Sequence, residues 1–164
     1  MASGRCWGFA GLNLMRLQVV DSLELNTFEF SQNYFMFWDK LEKANYFLEN
    51  IIKSRDESYE SRLITHLLKA PVQDGGQWDM FVNLINKYGA VPKDVMPETN
   101  HSSKSGAMNY ILTHKLREFA SILRKKPAKN SAALKKDMME TIYNLLAMFL
   151  GQPPDVINWS TSCL

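Results

Sequence analysis

In the stretch SGRCWGFAGLNLMR, residues 3–16, Cys6 stands between Arg5 and Trp7 where an apolar helix begins. A thiol attacks as its thiolate, and the free N–H groups and dipole at a helix start favour an anion. Gly4 lets the backbone turn tightly before Cys6. Gly8 and Gly11 leave one helix face slim for a close neighbour, and Trp7 is placed to shield the sulfur and pack the helix. Such a cysteine is either a nucleophile or a small buried residue, and these residues alone leave both readings open. A nucleophile would also need a base and an oxyanion donor. The three histidines do not present themselves as that base. His66 falls on a short helical pattern, His101 in a polar loop and His114 in a long helix beside Lys115, so each reads as a surface or core residue.

The elements that must hold these groups are helical nearly throughout. Phe30, Tyr34, Phe37, Trp38, Leu41, Leu48, Ile51 and Ile52 recur at three- and four-residue spacing, which predicts a helix capped by Ser31 and running to about residue 53. Asp39, Lys40, Glu42, Lys43 and Glu49 are assigned to its outer face. A charged loop over residues 54–61 precedes a short helix on Leu63, Ile64, Leu67 and Leu68, stopped by Pro71. Asp74-Gly75-Gly76 is a turn, followed by Gln77-Trp78-Asp79 and a helix on Met80, Phe81, Leu84 and Ile85, with Gly89 as its C-terminal cap. Residues 90–101, with Pro92 and Pro97, read as an extended connection in which a strand could hide within 90–97. Two more helices follow, at about 105–125 and 132–150, separated by a break at 127–130 and closed by Gly151 and Pro153-Pro154.

Composition narrows the setting. The 164 residues are 46% hydrophobic, enough for one ordinary core. No apolar run reaches the ~18 residues of a membrane span, and no basic-then-apolar leader opens the chain. Cys6 and Cys163 make no disulfide framework, and the simplest reading is a reduced, intracellular compartment. Net charge is +2, but residues 104–137 hold nine Lys or Arg against two acidic residues. Without interleaved aromatics this is a solvated helix face and loop rather than a nucleic-acid platform.

At this point the motifs themselves are informative. SGRCWGFAGLNLMR resembles the active-site segment of the bleomycin hydrolase (aminopeptidase C) family of papain-like cysteine peptidases. The likeness continues through EFSQNYFMFWDKLEKANYFLENII, DGGQWDMFVNLINKYGAVPKDVMPET and MNYILTHKLREFA, and more weakly to LGQPPDVINW. The resemblance implies a cytosolic thiol aminopeptidase acting on peptides or amides, without metal or cofactor, assembled as a homo-hexamer with inward-facing sites. Cys6 matches its nucleophile. Gly75 and Gly76 match the glycine pair that lets a substrate backbone approach, and Gln77 and Trp78 follow where such enzymes line the pocket for the second substrate side chain. The fold implied is mostly α for this chain, the helical part of a papain-like α+β fold with a helical insertion. Residues 1–98 would be a partial left lobe that starts at the nucleophile helix, 99–159 the insertion and 160–164 a divergent tail.

The same resemblance sets an expectation about what is missing. The family's oxyanion glutamine lies six residues before the cysteine, ahead of Met1, and its histidine and asparagine come far downstream in a second lobe. Some apolar surface that would face that lobe is expected to be exposed. The alternative reading is a catalytically inactive helical fragment or isoform that acts, if at all, by protein interaction.

Overall fold

Seven α-helices carry the described residues, 4–161, of the computed structural model: α1 (Cys6–Ser22), α2 (Gln32–Lys53), α3 (Arg62–Lys69), α4 (Trp78–Tyr88), α5 (Asn100–Ser103), α6 (Gly106–Lys125) and α7 (Ser131–Leu150). The fold is organised around α2. Ser31 caps it, its hydroxyl oxygen accepting the Tyr34 N–H at 3.0 Å. One side of α2 buries Phe37, Leu41, Ala44, Leu48 and Ile51, spaced as a helical stripe, against Met108, Leu112 and Leu116 of α6 and Ile142 and Leu146 of α7. The other side presents Phe35 to a second cluster built from Leu12 of α1 and Phe81 and Leu84 of α4.

Packing on two sides overturns one sequence expectation. Asp39, Lys40 and Lys43 do not lie on a solvent face. Asp39 is 5% and Lys40 2% exposed, and the Lys43 side chain is largely covered. Polarity assigned them outward, but α2 is sandwiched and has no free face along that stretch, so its charged groups are buried with partners.

The connection at 90–101 is also more ordered than expected. It ends in α5, whose Thr99 and Ser102 form a reciprocal capping box. No strand occurs among the described residues; an isolated antiparallel bridge joins Phe30 and Pro92. A 3-10 turn, Ala128–Asn130, occupies the predicted break, and α7 begins one residue early. Buried Asn33 closes the far end of α7 by donating from Nδ2 to the carbonyls of Pro97 at 2.8 Å and Leu150 at 2.7 Å. The Leu150 carbonyl is one of those a helix end leaves without an intrahelical partner, and the Pro97 carbonyl ties the connection before α5 to the same side chain.

Several basic residues of the 104–137 segment close other ends. Arg117 donates to the carbonyls of Leu68 and Lys69 at the end of α3, and Arg124 to those of Ser54 and Glu57 just past α2. Cations are favoured at such C-termini. No described helix is long and apolar enough to cross a membrane. α1 leaves Phe9, Leu14 and Leu17 exposed.

Candidate active site

Cys6 is the first residue of α1, and its thiol is free and exposed. Exposure removes the buried-core reading, and Trp7 does not shield the sulfur as the sequence suggested. Trp7 instead turns into the protein and meets Phe35 edge-on, ring centroids 5.1 Å apart. The slim face of α1 serves close packing: a Cβ at Gly8 would collide with the Phe35 ring, and one at Gly11 with Phe81.

The start of α1 has no side-chain cap, since Arg5, its N-cap residue, points elsewhere. Arg5 is buried, and its guanidinium forms a two-pronged pair with Glu98, Nη2 to Oε2 at 2.7 Å and Nη1 to Oε1 at 3.1 Å. Glu98 also accepts the Ser102 hydroxyl at 2.6 Å. The residue before the thiol is thereby tied to the base of α5. Gly4 has φ +61°, the left-handed region, and its α-carbon faces the Asp74 carboxyl so closely that any Cβ would clash.

The glycine pair lies in the same assembly. The Gly75 N–H donates to the Gly4 carbonyl at 3.1 Å, and the Gly75 carbonyl accepts Lys43 Nζ at 2.7 Å. Gly75 has φ +85°, a conformation few other residues adopt. Gly76 rests on Trp7: a Cβ would come within 2.7 Å of the indole. Gly76→Ala is therefore expected to displace Trp7 and destabilise the chain by about 1–3 kcal/mol, the usual cost of overpacking. Urea unfolding would measure it, and an unchanged midpoint would mean that Trp7 yields freely.

Gln77 is the exposed N-cap residue of α4, and Trp78, also exposed, opens the helix and stacks on Phe81 with centroids 5.5 Å apart. The structure thus brings Gly75 and Gly76 against the two residues flanking the thiol's helix start, with Gln77 and Trp78 following on the outside. The histidines are occupied elsewhere. His101 packs edge-on against Phe149, His114 lies 4.3 Å from Tyr110 by ring centroids, and His66 is exposed on α3. Among the described residues no group of three or more His, Cys, Asp or Glu is placed to hold a metal ion. Cys163 lies outside the described residues.

What the residue types did not reveal is the charge cluster behind the loop. Lys40 Nζ donates to Asp74 Oδ1 at 2.9 Å and to the carbonyls of Val72 at 3.3 Å and Gln73 at 3.4 Å. Lys43 Nζ pairs with Asp39 Oδ2 at 2.8 Å and sits 5.3 Å from the Trp7 ring centroid. Burial pushes the Asp39 carboxyl above its ordinary range and the Lys43 ammonium below its own, against the attraction between the two. The only sequence signal was two lysines three apart on a helix with an acid at the preceding turn.

An exposed thiol on the first turn of a helix, with a glycine-paired loop anchored beside that turn, is the arrangement of the helical lobe of a papain-like thiol peptidase. The Peptidase C1-like family model matches residues 1–162, and the chain belongs to that family, the bleomycin hydrolase (aminopeptidase C) branch of the papain-like peptidases. Aminopeptidase C of Listeria innocua is 55% identical over 159 residues, covering 96% of this chain and 36% of that protein. Cysteine proteinase 1, mitochondrial, of Saccharomyces cerevisiae is 47% identical over 160 residues, covering 93% of this chain and 33% of that protein. The crystal structure of PepW from Lactobacillus rhamnosis superposes with a TM-score of 0.89 at 50% identity, over 93% of this chain and 35% of that one. The chain therefore spans about a third of the length of the relatives it matches.

Proposed function

We propose that this chain carries the nucleophile-bearing part of a cysteine aminopeptidase, with Cys6 as the attacking thiol and the Gly75–Gly76 edge as the place where a substrate backbone lies. The observation that carries the reading is the free, exposed Cys6 on the first turn of α1, beside a glycine loop bonded to the residue two before it. The names of the relatives, aminopeptidase C and cysteine proteinase, support the same class. In the chemistry proposed, the Cys6 sulfur adds to the carbonyl carbon of an N-terminal peptide or amide bond. The C–N bond then breaks, the amine leaves with a proton from a general acid, and water hydrolyses the thioester. Gln77 and Trp78 would border the adjoining side-chain pocket.

The acid–base group and the oxyanion side chain are proposed to come from outside these 164 residues. His66, His101 and His114 are engaged away from Cys6 or exposed on α3, and the relatives are about three times as long. On its own the polypeptide is thus proposed to be inactive, while its thiol stays available. Hexamer assembly and a cytoplasmic setting belong to the same proposal through the family resemblance.

The test has two arms. A fluorogenic amino-acid amide is offered to the 164-residue chain and to a chimera in which the remaining length of the Listeria innocua aminopeptidase C follows and precedes it. The chain alone is expected to match its Cys6→Ala variant, and the chimera to turn over and to lose turnover on Cys6→Ala. Turnover by the chain alone would overturn the inactive-fragment part. A folded chimera no better than its Cys6→Ala form would overturn the assignment of Cys6.

A further inference from the structure

We propose that Lys40 and Lys43 are positioning residues that hold the 72–76 loop, so that the Gly75–Gly76 edge is set in place before a substrate arrives; for the nature of that substrate the proposal rests on the peptidase reading above.

The loop between α3 and α4 has no ladder of its own, so its carbonyls need partners from elsewhere. Two ammonium groups on neighbouring turns of α2 provide them. Lys40 takes the carbonyls of residues 72 and 73 and the side chain of 74, three acceptors for three N–H donors. Lys43 takes the carbonyl of 75, and its remaining contacts are Asp39 and the face of Trp7. Four successive loop residues are therefore fixed to one helix. Gly75 has both backbone groups committed, its N–H to Gly4 and its carbonyl to Lys43, while no bond to the Gly76 backbone is made among the described residues. Gly75 thus serves as the anchor, and the N–H and C=O of Gly76 are left open. Trp7 links the two halves of the device, since Gly76 rests on its ring and Lys43 lies over it. A long charged side chain is an unusual choice for a site 2% exposed unless its position matters, because an unpaired buried ammonium is costly.

The test uses the whole 164-residue chain. Lys43→Gln alone would strand Asp39, so the informative variant is Asp39→Asn/Lys43→Gln, with Lys43→Arg as the conservative control. If that pair loosens the entire fold, Lys40→Met, which keeps the Asp39–Lys43 pair, is read in the same way. Two quantities are measured. One is amide hydrogen exchange of the 72–77 segment against that of α2 and α7. The other is the rate of Cys6 alkylation by leucyl chloromethyl ketone divided by the rate with iodoacetamide. In both reactions the sulfur forms a bond to carbon as halide leaves, but only the ketone carries an aminoacyl backbone. Exchange of the Gly75 N–H, the amide of this segment bonded to an acceptor among the described residues, is expected to rise, and the ratio to fall, by about tenfold each, the effect of one charge-assisted hydrogen bond. Lys43→Arg should retain most of both. Unchanged exchange at Gly75 would overturn the clamp. Faster exchange with an unchanged ratio would overturn the peptide-binding reading of the glycine edge, and the substrate half of this proposal with it.

Discussion

Phe37→Ala is expected to lower the stability of the chain by about 3–5 kcal/mol, the usual loss for a fully buried phenylalanine. Phe37 is 0% exposed and meets Trp38 and Tyr143 edge-on, with centroids 5.2 and 5.1 Å away. It therefore bridges α2 and α7, and the space it leaves is walled by rings that are themselves pinned. Trp38 is stacked on Tyr88 at 4.0 Å. A cavity that cannot collapse costs more than the transfer of the side chain alone. Since a domain of this size has a net stability of only about 5–15 kcal/mol, the loss would take a large share of it. Urea denaturation reads the result as a shifted midpoint with an unchanged slope. Met148→Ala, on the exposed side of α7, is the control and should stay within about 0.5 kcal/mol. A loss for Phe37→Ala below about 1.5 kcal/mol would mean that the rings repack and that the α2–α7 interface is not a rigid core. The consequence reaches the site, because the same helix carries Lys40 and Lys43 on its other flank.

Helix positions are legible in the sequence because their signals are local. Ser31 caps α2, Gly89 ends α4 and Pro71 closes the segment after α3, each through geometry that a few neighbouring residues decide. The apolar stripe of α2 likewise announces its buried side. What the stripe cannot announce is a second packed side. Asp39, Lys40 and Lys43 look like an outer face until α1, α4 and the loop before it cover them, and those contacts join residues more than thirty positions apart. The Arg5–Glu98 pair is hidden for the same reason. α5 escapes notice because a four-residue helix has too little periodicity to detect, although Thr99 and Ser102 already carry its capping chemistry. As for the candidate site, Cys6 is marked by its place at a helix start, but choosing the nucleophile reading and giving the glycine pair a role rest on the resemblance to a family. The residue types alone do not say whether the thiol points in or out, and the fold settles that by giving Trp7 the inward direction.

Arg5→Met is expected to cost about 3 kcal/mol, the lower end of the loss when one member of a buried ion pair is removed. The lower end applies because the Glu98 side chain keeps 29% of its surface in contact with solvent and also accepts the Ser102 hydroxyl. Methionine conserves much of the buried stem, so the loss reports the charge and its two hydrogen bonds rather than packing. Arg5→Lys separates those two parts. It keeps a positive charge but lacks the planar fork that meets both carboxylate oxygens, so it should fall between wild type and Arg5→Met. The same series probes the thiol. Arg5 precedes Cys6, and its carbonyl accepts the Phe9 N–H at 3.0 Å, the first bond of the helix. Releasing the guanidinium lets that first turn fray, and with it the alignment of the free N–H groups beside the sulfur. Iodoacetamide should therefore alkylate Cys6 more slowly in Arg5→Met than in wild type at neutral pH, with Arg5→Lys again between. Faster alkylation in Arg5→Met, together with the predicted loss of stability, would mean that access to the sulfur governs its reactivity, and that the helix start contributes nothing the Arg5–Glu98 pair protects.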